Sequence, residues 1–211
     1  MGEMSMFPLG SVLFPATPLM LRLFEPRYLT MLGRLLEREN PEFGVVLIER
    51  GSEVGGGEQR STIGTVARIV KVDAAAEAMY LVAVGDSRFE VARWLDDDPH
   101  PMAEVVALPP LEWDEALAPL RAEAEAIVRR VAARVASTGD PEIADVRWDA
   151  DAPISDDPVE SSWQLAAIAP LGELDRQKLL RSTTLGGLLR RLIDLTLEVD
   201  EITSPSTPDR P

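Results

Sequence analysis

The chain has no cysteine, one histidine and two lysines in 211 residues, and aromatic residues make up only 5% of it. The missing cysteine excludes disulfides, thiolate nucleophiles and cysteine-ligated metals together, and it fits a reducing compartment. The lone imidazole, His100, lies between Pro99 and Pro101. A Ser-His-Asp triad would have to use it, and no G-x-S-x-G elbow supplies the serine. His100 therefore reads as part of a strand-to-strand turn. Lys71 and Lys178 fall in a strand of mixed pattern and on an amphipathic helix. Neither suits the desolvated lysine of a serine–lysine dyad. There is no G-x-x-x-x-G-K-[ST] phosphate loop, and "GGGEQR" (55–60) leads into no helix, so it reads as a hairpin loop. No window reaches the roughly 20 uninterrupted apolar residues of a membrane span.

Positive charge is also scarce: 21 basic against 36 acidic residues leave a net charge of -15. Residues 1–110 hold 10 basic and 16 acidic groups, and residues 111–211 hold 11 and 20, so both parts are acidic. Phosphate backbones and anionic membranes are poor partners for such a surface, which predicts no nucleic-acid and no membrane partner. "DDDPH" (96–100) and "DVRWDADAPISDD" (145–157) cluster carboxylates without a glycine-centred coordination loop. They read as a solvated turn and an acidic loop, with Trp148 folded back onto the helices. No metal or other cofactor is predicted.

What is abundant is apolar surface, 45% of residues, and it starts at once in "MFPLGSVLFPATPLMLRLFEPRYLTML" (6–32). Pro8, Pro15, Pro18 and Pro26 punctuate that run. Proline lacks an N–H and belongs at strand starts, edges, bulges and first helical turns. The segment thus predicts short bent strands of an open or partly closed barrel. Glu3 ahead of it and the prolines within it argue against a signal peptide, and the chain is expected to be cytoplasmic. From Pro26 a helical period begins, with Tyr28, Leu29, Leu32, Leu35 and Leu36 on one stripe and Asn40-Pro41 as the stop. "FGVVLIE" (43–49) predicts a buried strand, and "TIGTVARIVKVD" (62–73) the next, with a bulge at Gly64. "DAAAEA" (73–78) reads as a turn. "MYLVAVG" (79–85) and "SRFEVARWL" (87–95) read as a coupled strand pair, the second with Phe89, Val91 and Leu95 inward and Arg88, Glu90 and Ala92 outward. "MAEVVAL" (102–108) closes the β-rich part.

After Pro109-Pro110 the pattern turns helical, over 114–136, 160–169, 173–181 and 184–199. The first of these aligns Leu117, Leu120, Ala124, Ile127, Val128, Val131 and Val135. The tail, 203–211, is expected to be disordered. Strands followed by helices define an α+β fold. It comprises a β-barrel lobe with one inserted helix (1–110) and an all-helical lobe (111–202) packed on it, with Leu111 and Trp113 at the join.

Pro8-Leu9, Leu13-Phe14-Pro15, Pro18-Leu19 and Phe24-Glu25-Pro26-Arg27-Tyr28 together resemble the opening of the N-terminal substrate-binding domain of the ATP-dependent Lon protease. "IGTVARI" (63–69) is similar to that family's "GTVA" strand. "GDSRFEV" (85–91) is similar to its "G..RF" strand, through Gly85, Arg88 and Phe89. Gln177 and Leu179-Leu180 match its helical part, where Arg181 replaces the family's glutamate. The resemblance spans nearly the whole chain. It implies a PUA-like barrel with a helical bundle, and recognition of exposed apolar segments in unfolded or damaged polypeptides. It also implies a stand-alone, non-catalytic sensor or adaptor in protein quality control, lacking the family's ATPase and serine–lysine peptidase domains. Phe14, Pro15, Phe24, Glu25, Pro26, Arg27, Tyr28, Gly64, Gly85, Arg88 and Phe89 carry the pattern and are expected to act mainly in structure. Two other readings stay open: a scaffold for a folded partner, and an enzyme with an unrecognised cleft site.

Overall fold

A computed structural model describes residues 2–50, 59–75, 78–137 and 149–203. It has an α+β fold in which contacts divide the chain into two units, Met1–Pro110 and Leu111–Pro211. The first holds β1 (Gly2–Leu9), β2 (Pro18–Leu23), α1 (Pro26–Leu36), β3 (Glu42–Arg50), β4 (Gln59–Ala75), β5 (Ala78–Leu95) and β6 (Met102–Ala107). The sheet order is β2-β5-β4-β3-β1-β6, and β6 also pairs with β5. That last pairing closes β1, β3, β4, β5 and β6 into a ring and leaves β2 outside it. Among the described residues only β1 and β3 run parallel; the other pairs are antiparallel.

Side chains alternate across a strand, so consecutive residues serve opposite faces. Met6, Val46, Val66, Phe89, Val91, Ala103 and Val105 form one buried cluster, to which every strand of the ring contributes. Their neighbours Phe7, Val45 and Ala67 join Phe43, Leu81 and Ala83 in a second cluster under α1. Both faces are thus buried, which is why "FGVVLIE" shows no apolar–polar alternation. α1 covers the second face with Tyr28, Met31, Leu32 and Leu35. The Tyr28 ring stacks on Phe7, with centroids 4.0 Å apart. The sequence stripe included Leu29 and Leu36, but these flank the buried row and are exposed, while Met31 is within it. The helix also stops at Leu36, before Asn40-Pro41, with Glu37 as its C-cap.

Each opening proline sits where an N–H is dispensable. Pro8 follows the segment Gly2–Ser5 of β1 that pairs with β6, Pro15 lies in a turn, Pro18 begins β2, and Pro26 begins α1. Three expectations change. "MYLVAVG" and "SRFEVARWL" are one continuous strand, β5, and not a coupled pair of strands. It changes partners along its length, β2 for Met79–Val84 and β6 for Phe89–Leu95, so Asp86–Ser87 need not reverse the chain. The inward row also shifts at the irregularity between Val91 and Arg93, so Trp94, not Leu95, packs on the ring cluster. Arg88, expected outside, is buried. Residues 76–77 and Trp148 lie outside the described residues, as do most of the glycine-rich loop and of the tail.

The second unit contains a 3-10 turn (Glu115–Leu117), α2 (Ala118–Ser137), α3 (Pro158–Ile168), α4 (Glu173–Leu180) and α5 (Leu185–Thr203). α2 buries Ala124, Val128, Val131, Ala132 and Val135 at helical spacing. Asp157 caps α3, its Oδ1 accepting from the Val159 and Glu160 N–H groups at 2.9 Å, with Pro158 in the first turn. The buried Arg176 of α4 donates to the carbonyls of Leu171, Ala167 and Ala169 at 3.0, 3.2 and 3.1 Å. It satisfies backbone acceptors at and beyond the C-terminus of α3.

Candidate functional site

The residues that carry the sequence pattern fall into three structural groups. In the first, Phe14 and Pro15 enter a turn whose next residue, Ala16, has φ 57°. A proline followed by a residue of positive φ is the pattern of a type II turn. Thr17 Oγ1 donates to Phe14 O at 2.7 Å, and Thr65 Oγ1 to Leu13 O at 2.6 Å. Gly85 receives this turn: Ala16 N–H donates to Gly85 O at 2.8 Å and Gly85 N–H to Thr17 O at 2.9 Å. A Cβ on Gly85 would lie 2.1 Å from Phe14 O, so glycine is needed for backbone approach.

The second group is the start of α1. Glu25 is the N-cap residue without a capping hydrogen bond; its carboxylate accepts from Arg27 Nε at 3.0 Å. The Arg27 guanidinium lies 4.6 Å from the centre of the buried Tyr28 ring. The third group is inside the ring. A Cβ on Gly64 would lie 2.2 Å from Val45 O and 2.7 Å from Phe89 Cζ. Gly64 thus makes room for backbone and for the Phe89 ring; it is itself paired with Val46 and Phe89, and the register shifts flank it, between Val46 and Ile48 on β3 and between Thr65 and Ala67 opposite β5. The Arg88 side chain donates to Pro109 O at 3.0 Å, and burial pushes its guanidinium below the ordinary arginine value. Of the pattern residues that are aromatic, only Phe24 is open to solvent, at 59%.

His100 is buried in the β5–β6 connection beside exposed Asp96, Asp97 and Asp98. Among the described residues no three histidine, cysteine or carboxylate side chains are grouped to hold a metal ion. Lys71 and Lys178 are exposed and paired with Asp73 and Asp175. In the helical unit an open groove of about 580 Å³ is lined by Trp113, Arg121, Glu125, Ile154 and Pro158, among others. Its polar groups are turned on one another: Arg121 donates to Ser161 Oγ and Glu125, and Trp113 Nε1 to Glu115.

Phe24 leads to a surface that the sequence reading missed. Cross-strand neighbours share a sheet face. Pro18, Met20 and Arg22 of β2 stand opposite Val84, Val82 and Tyr80 of β5, which stand opposite Arg68, Lys71 and Asp73 of β4. Val70 is the extra residue at the irregularity between Ile69 and Lys71. The alternate residues Leu19, Leu21, Ile69, Leu81, Ala83 and Val72 face the α1 cluster. The first set therefore forms the other face, with Val82 and Val84 half-buried at its middle and its outer residues open. Met20 is 81% exposed, Val70 56% and Tyr80 48%. Arg68 is paired with Asp86 at 3.4 Å and Lys71 with Asp73 at 2.6 Å. Arg22 sits 5.9 Å from the Phe24 ring centre and makes no ion pair among the described residues. In the sequence these positions lie on three separated strands. Within "PLMLRLF" only Arg22 distinguishes one face from the other.

A closed ring with an inserted helix, followed by a helical unit, is a fold seen in solved structures. A Lon N-terminal domain protein from Xanthomonas campestris is 27% identical, with a TM-score of 0.64 over 97% of this chain and 100% of its own. The N-terminal domain of the Lon protease of Mycobacterium avium complex is 17% identical, with a TM-score of 0.63 over 93% and 99% of the two chains; that likeness shows the fold alone. Comparison with curated proteins returned no match. The model of the substrate-binding domain of ATP-dependent protease La (Lon) matches residues 3–198, and the chain belongs to that family. The match is to a non-catalytic domain, and no protease or ATPase domain is detected in the 211 residues. Among the described residues no helix is long and apolar enough to cross a membrane.

Proposed function

We propose that the protein is a substrate-recognition module that binds exposed apolar segments of unfolded or damaged polypeptides, acting as a sensor or adaptor in a cytoplasmic setting, with the ring as its PUA-like barrel. Family membership supports the class of function. The face on which Met20, Val70 and Tyr80 are exposed around the half-buried Val82 and Val84 is the single observation that carries the location. Apolar area removed from water stabilises a complex by roughly 25 cal/mol per Å², opposed by the ordering of a flexible ligand. Contacts of this kind give weak binding of broad specificity, as a sensor of unfolded chains requires. The pattern residues from Phe14 to Phe89 act on this reading through structure, holding β2, α1 and β5 in register.

The test is a titration of protein carrying labelled methionine methyl groups with a permanently unfolded polypeptide. The Met20 methyl resonance should shift and the buried Met6 and Met31 resonances should not. Replacing Met20 and Val70 by serine should weaken binding about tenfold or more. Shifts confined to residues 111–203, or binding unchanged by the replacements, would move the site elsewhere and favour a scaffold for a folded partner.

A further inference from the structure

β2 pairs with β5 along one side and, among the described residues, with nothing along the other. In an antiparallel pair, successive residues turn their N–H and C=O groups alternately toward the partner and away from it. Gly85 N–H donates to Thr17 O at 2.9 Å, which fixes the phase. Thr17, Leu19, Leu21 and Leu23 face β5, and Pro18, Met20 and Arg22 direct their backbone groups outward. Pro18 has no N–H, so this edge offers the N–H and C=O of Met20 and of Arg22 and the C=O of Pro18. These are the groups with which a further strand would pair.

Such a strand would extend the open face. Its residues on one side would adjoin Met20, and those on the other the half-buried Leu19 and Leu21, which pack on the α1 cluster. Both sides favour apolar side chains. The charge that remains is Arg22, since Arg68 and Lys71 are neutralised by Asp86 and Asp73. A proline and an arginine also blunt an edge against aggregation. A methionine held 81% exposed between them does the reverse.

We propose that β2 takes an extended segment of an unfolded polypeptide as an added strand, apolar on both sides and bearing a carboxylate side chain opposite Arg22. The proposal rests on the apolar-recognition reading above and specifies how that site works. Main-chain pairing supplies affinity without regard to sequence, while alternate side chains and the carboxylate set preference. A whole surface of charge -15 would instead favour basic peptides.

The probes are capped eight-residue peptides of valine, leucine and phenylalanine with one central glutamate, the same peptides with lysine there, and two N-methylated forms. One form is methylated at alternate residues and the other at the intervening ones. At 0.15 M salt the glutamate peptide should bind several-fold more tightly than the lysine peptide, and Arg22→Glu, at an exposed position, should reverse that order. One N-methylated form should lose about tenfold or more in affinity while the other keeps it, because only one set of N–H groups faces β2. The amide resonances of Met20 and Arg22 should shift. Equal binding by both methylated forms, with the Met20 methyl still shifting, would overturn strand addition and leave apolar recognition standing. No binding of any peptide or unfolded chain would overturn both. Concentration-dependent self-association abolished by Met20→Pro would assign the edge to a second copy of the chain and overturn the proposal.

Discussion

Two glycine-to-alanine substitutions should have opposite signs, and the structure fixes which is which. At Gly85 the new Cβ would stand 2.1 Å from Phe14 O and 3.0 Å from Phe14 C. Both are backbone atoms, so no side-chain rotation relieves the contact; the turn must move by more than an ångström. That movement breaks the two hydrogen bonds joining the turn to Gly85, at 2.8 and 2.9 Å. Each is worth about 1 kcal/mol net. Residual overpacking adds about 1–3 kcal/mol. Gly85→Ala should therefore cost about 3–5 kcal/mol, the sum of those two effects. Gly33 lies within α1, and its Cβ would meet nothing within 4 Å. There alanine should gain about 1 kcal/mol of helix propensity. Urea unfolding followed by circular dichroism reads both. With a slope of about 1–3 kcal/mol per molar, the midpoint should fall by about 1 M or more for Gly85→Ala and rise by a few tenths of a molar for Gly33→Ala. A Gly85→Ala midpoint at or above wild type would refute the close approach of the turn, and a lowered Gly33→Ala midpoint would refute the open helical surface.

Ala16 holds φ 57° without being glycine, which costs about 1–2 kcal/mol, partly offset because glycine is more disordered when unfolded. Ala16→Gly should raise stability by about 0.5 kcal/mol, and an unchanged or lower urea midpoint would contradict the left-handed turn. Arg176→Met should cost about 2–4 kcal/mol by stranding the carbonyls of Ala167, Ala169 and Leu171, and Arg176→Lys should recover only part because an ammonium lacks the planar fork. Full recovery by lysine would show that charge alone, not geometry, matters there.

The elements were legible where one physical signal dominated. β3 and β4 were visible as apolar and β-branched runs, α1 by its period and Pro26, and the succession of strands and then helices by composition. The failures have local causes. "MYLVAVG" and "SRFEVARWL" read as a strand pair because Asp86 and Ser87 interrupt the apolar pattern, yet β5 runs through and exchanges partners instead. Tertiary pairing decided that, and it leaves no local trace. The phase of Trp94 and Leu95 depended on an irregularity opposite β6. Arg88 looked solvent-facing from its charge, but it is buried with a bond to Pro109 O. The open face was hidden for a different reason: its residues come from β2, β4 and β5, and their neighbours are equally apolar.

Strand length explains why such a face exists. β4 and β5 span 17 and 18 residues, whereas β3 pairs with β4 only as far as Arg68 and β6 meets β5 only from Phe89. The remaining lengths, Ile69–Ala75 and Ala78–Val84, extend beyond the ring and carry β2 at their edge. α1 covers one side of that extension through Leu81, Ala83 and Ile69, and the other side has no cover among the described residues. A closed ring has no edges, so a strand edge and an open face arise only where the sheet outruns the closure. Charge then acts there at two ranges. The field of a chain at -15 reaches about 30 Å at 0.01 M salt but only about 8 Å at 0.15 M. A carboxylate in contact with Arg22 is screened far less. A bound acidic residue is therefore opposed by the whole surface in dilute salt and favoured by one side chain at physiological salt. In the peptide titration the preference for glutamate over lysine should grow from 0.01 to 0.15 M. A preference for lysine at both would mean that the whole surface, not Arg22, selects the ligand.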